Sequence, residues 1–414
     1  MKALVFEKNF VRIAATRILS FLSPRAFTGP LAPVRLRDVA DPEPPADGWV
    51  TVRTRVAGIC GSDFKQVFLN GSADNPMTAV ISFPHVLGHE AVGCVEKVST
   101  GVEKVKPGQR VVLNPWLSCV PRGIEPCRWC REGQHAQCLN FTEGNLSNGV
   151  HIGNCESAPG GFAEVFVAHE SMAVPVPDAV PDELAVLADP FSVSFHAVTR
   201  SPPPEGGVAL VYGCGTLGLM AIAILRDFYP GIRMLAVAKY EHQAKFARAL
   251  GASEVIFSNG DSARSRKEVV GRVAAALKDS VRSPWFGSPW LRDGVDVVYD
   301  SVSSAATLEV GVRVLRSRGK LVVIGVEPAR RFEWTPVYFK EISLVGSNAF
   351  GVEEYRGRSK HAFDWFFEWV QSAKGREACE GLLTHRFSLS EYRRAFFLGK
   401  RKAESGMLKA VFEF

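Results

Sequence analysis

A glycine-rich turn between a short apolar strand and a helix constrains the fold of this chain most strongly. Val208–Tyr212 (VALVY) is predicted to be a buried strand and Thr216–Tyr229 a helix. In such a turn one glycine permits the tight bend, the next lets the backbone approach a pyrophosphate, and the last lets helix and strand pack closely. The amino end of the helix attracts the phosphates. The alternative is a glycine-rich turn without a ligand. The residues predicted to bind a dinucleotide are Gly213, Gly215, Thr216, Leu217 and Gly218.

The next strand, predicted over Arg233–Ala238, ends without the acidic residue that would bind the ribose 2′-hydroxyl of NAD. Ala238 stands about 20 positions after the glycines, where that residue is expected, and Lys239 follows. A lysine can neutralise a 2′-phosphate, and an alanine removes the repulsion that a carboxylate would exert. These residues favour NADP over NAD. The alternative is that Lys239 is only a solvated strand end.

The residues after about position 195 alternate between strand-like and helix-like segments. A helix is predicted through His242–Leu250, and strands over Val295–Tyr299 and Lys320–Gly325 flank a predicted helix, Ala305–Leu315. Such alternation implies an α/β fold with a doubly wound parallel sheet covered on both faces. Residues 260–293 are predicted to be a helix plus an extended loop inserted in this domain.

The first half of the chain has an all-β pattern instead, typical of a barrel-like domain with long loops. The chain becomes mixed again from about residue 353. It ends in a predicted strand, Met407–Phe414, and the pattern alone does not assign that strand to a sheet. The strand-like segments of the first half are Trp49–Val56, Ala91–Val98, Arg110–Leu113 and Phe162–Ala168.

Composition argues against several classes of protein. A chain of 414 residues is expected to form two or three domains, and its net charge of +6 has no basic block dense enough for nucleic acid. The sequence contains no apolar run of about 18 residues or more, so no membrane span is predicted. The Arg-bearing stretch Phe10–Leu22 has the amphipathic character of a targeting helix, but it follows a predicted strand, Met1–Phe6 (MKALVF). Residues 8–33 are therefore interpreted as a surface insertion, and the cytoplasm as the location.

Four of the nine cysteines lie close together in the sequence. The C-x-x-C pair can bind one ion from a single turn, and the outer two can complete a tetrahedron without a position for substrate. The pattern predicts a structural zinc. The polar loop within it is expected not to pack without that cross-link, and the alternative is free buried cysteines. The four are Cys119, Cys127, Cys130 and Cys138.

Other candidate metal ligands are scattered along the chain. Cys60 lies in the segment GICGSD, His89 lies in GHE, and Asp189 precedes a proline. A thiolate, an imidazole and a carboxylate suit an open zinc shell, which leaves a position for a substrate oxygen. Each residue also has a simpler interpretation: a small buried hydrophobe, a structural histidine and a turn residue.

Together these segments resemble the zinc-containing medium-chain dehydrogenase/reductase family, above all its polyol and threonine dehydrogenase branches. The likeness runs from the N-terminal strand through GICGSD, GHE, GQR (108–110), the cysteines, GGFAE (160–164), DPF and GCGTLG. It implies a GroES-like β catalytic domain, discontinuous in sequence, and a Rossmann domain. The expected ranges are 1–195 with 353–414 for the first domain and 196–352 for the second.

The resemblance also implies roles for individual residues. Cys60 and His89 would be ligands of a catalytic zinc, and Glu90 and Asp189 the remaining or alternating ligands. Family members are commonly dimers or tetramers, so a homodimer or homotetramer is expected.

Three positions depart from the family pattern. Cys119 lies farther from Cys127 than is usual, which puts the structural zinc in question. Lys65 stands where a relay histidine is common, and the acidic ribose ligand is missing.

The expected reaction is reversible oxidation of a secondary alcohol or polyol, with zinc as the Lewis acid and hydride transfer to a nicotinamide. Ser62 is expected either to pass a proton outward or to cap a turn, and Glu90 to exchange with Asp189 at the metal. One alternative is a zinc-free quinone or enone reductase of the same fold. The other is a non-catalytic nucleotide-binding protein with structural zinc only. No nucleic-acid or membrane partner is expected.

Overall fold

The computed structural model describes residues 1–72, 74–325, 327 and 331–414. Its contacts divide the chain into two compact units. The discontinuous unit comprises Met1–Asp189 and Phe363–Phe414, and the continuous unit comprises Pro190–Ala362. These divisions lie six residues before and ten residues after the expected boundaries at 195 and 352. In the described part of the chain, no helix has both the length and the apolar character needed to cross a membrane.

The first segment of the discontinuous unit consists mainly of short strands. In the longest of them, exposed Arg53 and Arg55 alternate with buried Val52, Thr54 and Val56, because successive side chains of a strand point to opposite faces. Its strands are β1 (Lys2–Phe6), β2 (Val34–Asp38), β3 (Trp49–Gly58), β4 (His85–Val86), β5 (Glu90–Val98), β6 (Arg110–Leu113), β7 (Val165–His169) and β8 (Ala173–Pro175). Its helices are α1 (Phe10–Ser20), α2 (Gly61–Val67), α3 (Arg128–Arg131) and α4 (Asp182–Ala185), with 3-10 turns at Pro24–Thr28, Pro76–Val80 and His135–Gln137.

The continuous unit alternates between strands and helices. Six of its strands form one parallel sheet, which confirms the predicted doubly wound class. The elements are α5 (Ala188–Arg200), β9 (Val208–Tyr212), α6 (Thr216–Phe228), β10 (Arg233–Ala238), α7 (Glu241–Ala249), β11 (Glu254–Phe257), α8 (Ala263–Leu277), β12 (Val281–Arg282), β13 (Trp290–Leu291), β14 (Val295–Asp300), α9 (Ala305–Val314), β15 (Leu315–Val323), α10 (Thr335–Phe339), β16 (Ser343–Gly346), β17 (Val352–Tyr355) and β18 (Arg358–His361). The sheet order is β11-β10-β9-β14-β15-β16.

The segment after α8 differs from the predicted extended loop. β12 and β13 pair as an antiparallel hairpin, with Val281 opposite Leu291 and Arg282 opposite Trp290. Leu291 is fully buried, so an apolar side chain anchors the hairpin in the unit. Proline and glycine dominate only its tip, which is why the sequence resembled a loop.

After residue 362 the chain returns to the discontinuous unit. The C-terminal strand pairs antiparallel with β3 and places Val411 opposite Gly58, which settles the assignment that the sequence left open. With β19 (Leu383–Ser388) and β20 (Lys409–Glu413), the sheet order is β19-β20-β3-β5-β6-β8; β7 also pairs with β3, and a smaller sheet has the order β2-β1-β4. The returning elements are α11 (Ala362–Val370), α12 (Ala373–Cys379), β19 (Leu383–Ser388), a 3-10 turn (Leu389–Glu391), α13 (Tyr392–Lys400), α14 (Lys402–Ser405) and β20 (Lys409–Glu413).

Candidate active site and metal clusters

Cys60 lies in the turn between β3 and α2, and Asp63 fixes that turn. The Cys60 backbone N–H donates a hydrogen bond of 2.8 Å to Asp63 Oδ2, at the start of α2. Asp63 is fully buried, and burial raises its pKa to about 6, although the charge of His89 opposes this shift. The Asp63 carboxyl group therefore fixes the backbone of Cys60, and with it the direction in which the Cys60 thiol points.

His89 and Glu90 meet Cys60 because β5 pairs with β3. Glu90 lies opposite Gly58 in this pairing. The sulfur of Cys60, a ring nitrogen of His89 and a carboxylate oxygen of Glu90 all lie within 4.8 Å of one another. Tetrahedral zinc ligands lie about 3.3–3.8 Å apart, given metal–ligand distances of about 2.0–2.3 Å. The spacing of the three groups therefore fits a single ion.

Asp189 lies in the first turn of α5 and is buried. It is not part of the group of three, yet it acts electrostatically on the same residues. Burial, and then the charge of Glu90, raise the pKa of Asp189 to about 7. Burial alone would lower the pKa of His89, but Cys60, Asp63 and Asp189 raise it well above its ordinary value. We call Cys60, His89, Glu90 and Asp189 the dispersed site.

Lys409 is a residue of this region that the sequence reasoning missed. It lies on β20, is 2% exposed, and its Nζ contacts Glu90 Oε2 and donates a 3.2 Å hydrogen bond to the Ile59 carbonyl. Burial lowers the pKa of Lys409, but Glu90 and Cys60 hold it above its ordinary value. A lone lysine in the otherwise apolar segment MLKAVF was the available signal, because a buried ammonium requires a partner.

The donor groups of the dispersed site fit a divalent cation. The thiol of Cys60 and the carboxyl groups of Asp63, Glu90 and Asp189 act on the imidazole of His89 and the ammonium of Lys409. A second ring, that of His151, lies 4.8 Å from the ring of His89. His89 Nδ1 is buried and has no hydrogen-bond partner among the described residues. A cation would satisfy this nitrogen and offset the repulsion among the carboxylates.

A second cluster, which we call the cysteine lobe, comprises Cys119–Cys138. Its four sulfurs lie within 4.8 Å of one another, and all four cysteines are free. The Cys127 N–H and the Asn140 side-chain amide each donate to Cys119 Sγ at 3.3 Å, and the Asn140 N–H donates to Cys138 Sγ at 3.3 Å. Four thiolates around one zinc lie about 3.8 Å apart. The lobe therefore has the donor set and dimensions of a closed zinc site.

The loop of the lobe has a second support besides its cysteines, while the expectation that it does not pack without metal stays a prediction. Arg122 is fully buried inside it. Its guanidinium donates to five backbone carbonyls, which explains how a charged side chain is accommodated without a carboxylate. The acceptors are Leu117, Glu143, Leu146, Ser147 and Gly149, at 2.8–3.2 Å.

The three glycines of the β9–α6 turn have different surroundings. Gly213 has a φ of +91°, which favours glycine. A Cβ at Gly218 would overlap the carbonyl oxygen of Gly213. A Cβ at Gly215, at the N-cap of α6, would meet no atom within 4 Å. The chain itself therefore requires the first and last glycine, and the space beside the middle one suits a ligand.

Thr216 and Leu217 form the start of α6, and Lys239 follows β10. Lys239 is exposed, its Nζ lies 5.7 Å from the ring centroid of Tyr240, and its N–H donates to Gln243 Oε1 at 3.3 Å. Ala238 is fully buried. The end of β10 thus carries an exposed ammonium, and a buried alanine occupies the position expected to be acidic.

The hydroxyl of Ser62 is buried and has no hydrogen-bond partner among the described residues. The turn-capping interpretation is therefore wrong, because the carboxylate of Asp63 caps α2 instead. Lys65 occupies the last part of the same short helix.

Comparison with known proteins agrees with this architecture. The Alcohol dehydrogenase GroES-like domain family matches residues 46–178, and the Zinc-binding dehydrogenase family matches residues 216–366. An L-threonine 3-dehydrogenase of Anaeromyxobacter dehalogenans is 27% identical over 84% of this chain and 86% of its own length. The (R,R)-butanediol dehydrogenase of Saccharomyces cerevisiae is 28% identical over 77% and 80%. The solved structure of RspB from Escherichia coli CFT073, titled an alcohol dehydrogenase complexed with cofactor NADH, has a TM-score of 0.70 at 22% identity and covers 100% of this chain and 99% of its own.

The two family models together match more than half of the residues. The chain belongs to the zinc-type medium-chain dehydrogenase family. It is an oxidoreductase of the alcohol dehydrogenase class, which uses zinc and a nicotinamide cofactor.

Proposed function

We propose that the chain transfers a hydride between a secondary alcohol or polyol-type substrate and NADP, at a zinc ion held by the dispersed site. The observation that carries this proposal is the convergence of Cys60, His89 and Glu90 within 4.8 Å. The relatives named for butanediol and threonine oxidation support the substrate class.

A zinc ion bound here supplies a Lewis acid for the alcohol oxygen. Cys60 and His89 hold the ion from the β3–α2 turn and the start of β5. Glu90 and Asp189 provide two buried carboxyl groups for the remaining protein position, so one can replace the other. Lys409 restrains Glu90, and Asp189 is the carboxyl group that no strong cationic contact holds among the described residues.

Ser62 is the candidate for moving the substrate proton. Its hydroxyl lies two residues from Cys60, is buried and is not used by any hydrogen bond among the described residues. A hydroxyl can accept a proton and donate its own in turn, which suits a relay.

The cofactor site is proposed at the β9–α6 turn, with the pyrophosphate at Gly213, Gly215, Thr216, Leu217 and Gly218. The open space beside Gly215 supports this placement. Lys239 is proposed to pair with the 2′-phosphate of NADP, because an exposed ammonium can move to a phosphate whereas Ala238 offers no ribose ligand. A structural zinc is proposed for the cysteine lobe. The homodimer or homotetramer and the cytoplasmic location stay predictions.

Metal analysis and a substrate panel test the proposal together. We expect about two zinc ions per chain, and secondary alcohols and polyols oxidised faster with NADP than with NAD. Cys60→Ser should lose one zinc and the activity, while Cys94→Ser, a matched free cysteine on β5, should retain both. Full activity of Cys60→Ser on quinones or enones would support the zinc-free reductase instead. Zinc lost only in Cys127→Ser, without activity in any variant, would support a non-catalytic protein.

A further inference from the structure

The helix α1 has its apolar side in solvent. Phe10, Val11, Ile18, Phe21 and Leu22 are between 67% and 90% exposed. At 100° per residue Phe10, Val11 and Ile18 lie within about 100° of one another around the helix axis, and Phe21 and Leu22 follow in the turn after α1. The only buried residue of α1 is Thr16, so its orientation is the reverse of that of an ordinary surface helix.

Polar contacts hold the helix in this orientation. The Thr16 hydroxyl donates to the Leu31 carbonyl at 3.1 Å, and Arg12 Nη1 donates to the Pro30 carbonyl at 3.0 Å. Arg17 Nη2 donates to the Leu69 carbonyl at 3.2 Å, and the Asn9 side chain caps the first turn. The exposed apolar face is therefore a fixed surface of the unit.

The segment that contains this face is basic. From Lys8 through Arg37 the sequence contains six basic residues and no acidic one. Of these, Lys8, Arg12, Arg17 and Arg25 form no ion pair among the described residues, whereas Glu7 pairs with Arg35 and Arg37.

α13 and the turn after it extend the basic region. Arg25 and Arg401 both lie 5.3 Å from the ring centroid of Phe397, and Lys400 lies 4.5 Å from that of Phe68. The nearest acidic group in this turn, Glu404, is engaged by Arg401. We define the basic–apolar surface as the exposed face of α1 through Leu22 together with Lys8, Arg17, Arg25 and Lys400.

We propose that the basic–apolar surface docks on an anionic lipid bilayer. A helix with an apolar face flanked by Lys and Arg lies in the plane of a membrane interface, with its apolar side chains among the lipids and its cations at the phosphates. A second copy of this chain is the poorer occupant, because a two-fold contact would place the same unpaired cations opposite one another. The apolar area and the charge thus both select an anionic bilayer.

Vesicle binding by the full chain tests the proposal. We expect it to sediment with phosphatidylcholine vesicles containing about 30% phosphatidylglycerol, and at least about tenfold less with pure phosphatidylcholine. Raising the salt concentration from about 0.05 M to about 0.5 M should weaken binding to the anionic vesicles by a similar factor, at least about tenfold. Equal binding to both kinds of vesicle, or binding to neither, would overturn the proposal.

Variants separate the two components of the surface. Phe21→Ser with Leu22→Ser removes apolar area, and Arg25→Gln with Lys400→Gln removes charge; each pair should lower vesicle binding about tenfold or more. Trp285→Ser with Phe286→Ser is the matched control, since it removes two residues of the continuous unit that are 98% and 92% exposed. This control should bind as the unchanged protein does.

Circular dichroism melting and dehydrogenase activity monitor folding in every variant, and Phe10→Ser with Ile18→Ser provides a second apolar pair if the first misfolds. Loss of binding in the Trp285 and Phe286 control alone would contradict the proposal. So would a concentration-dependent dimer, seen by sedimentation velocity, that only the α1 variants abolish.

Discussion

The cysteine lobe and the dispersed site belong to the same unit, but they assemble their donors differently. The lobe takes four thiols from twenty consecutive residues. The dispersed site takes Cys60 from the β3–α2 turn, Glu90 and His89 from the start of β5 and the residue before it, and Asp189 from the last residue of the unit's first segment. Each site also contains a buried cation: Arg122 binds only backbone carbonyls, whereas Lys409 contacts a carboxylate that is itself a candidate ligand.

The two buried cations therefore have different roles: Arg122 stabilises a loop, whereas Lys409 positions a candidate metal ligand. Arg122 binds the backbone around the lobe and forms no hydrogen bond to a donor sulfur among the described contacts, so it supports the loop through backbone carbonyls. Lys409 acts on the donor itself, because its charge offsets that of Glu90 and fixes where that carboxylate points. Loss of Arg122 should therefore affect folding, and loss of Lys409 should affect the metal site as well.

Arg122→Met should give the largest effect. It removes five hydrogen bonds and leaves buried carbonyls unpaired, so the free energy of unfolding should fall by about 4 kcal/mol or more. Urea unfolding followed by fluorescence measures the change. Arg131→Gln is the control, because Arg131 is exposed and its side chain makes one hydrogen bond among the described residues, to the Pro126 carbonyl. This variant should lose less than about 1 kcal/mol. A similar small loss in both variants would show that metal alone maintains the lobe.

Lys409→Met should give the second largest fall in the free energy of unfolding. It leaves Glu90 buried without its cation, at a cost of about 3–4 kcal/mol in the metal-free protein. Adding Glu90→Gln to Lys409→Met should recover part of that loss, because the orphaned charge is gone. Competition with a zinc chelator should also show changed zinc affinity at one of two sites. Additive losses in the double variant would mean that the contact does not couple the two residues.

Contiguous patterns allowed the sequence to predict much of the molecule. β6, β9 and β10 have the predicted bounds, because apolar runs flanked by glycine or proline define short strands well. The cysteine spacing likewise predicted a cluster whose sulfurs do meet. The parallel sheet followed from alternating elements, each visible within about 15 residues.

The remaining features depend on pairings distant in sequence. Lys409 lies 319 positions from Glu90, and only the pairing of β20 with β3 brings them together. Arg122 lies in the polar loop between the cysteines, and nothing in a sequence shows which carbonyls a loop will present to it. The hydroxyl of Ser62 was left with two interpretations, and the position of Asp63 in the turn decided against one of them.

Asp300 extends the comparison to a buried carboxylate without a cation. At the end of β14 it accepts from the N–H groups of Val302 and Ser303 at 2.9 and 2.8 Å and from the Thr307 hydroxyl at 2.7 Å, and it forms no ion pair among the described residues. Burial raises its pKa to about 6, although these hydrogen bonds oppose the shift.

Because the folded state binds this proton more tightly than the unfolded chain, the stability from Asp300 is full below about pH 4 and is lost as the pH rises through about 6. The loss should be up to about 3 kcal/mol. Urea midpoints at low and neutral pH, compared between the unchanged protein and Asp300→Asn, measure it, since other groups cancel in the difference. An identical pH dependence in the two proteins would rule out this role.

Gly58→Ala should give the smallest effect and the most specific one for the dispersed site. A Cβ at Gly58 would overlap Glu90 Oε2 and lie 3.1 Å from Lys409 Nζ, so the pair must shift. Overpacking of this kind costs about 1–3 kcal/mol. Gly61→Ala in the same turn is the matched control, because a Cβ there meets nothing within 4 Å. If Glu90 serves as a ligand, Gly58→Ala should weaken zinc binding at one site beyond its effect on unfolding, whereas unchanged zinc affinity would leave Asp189 as the carboxylate ligand.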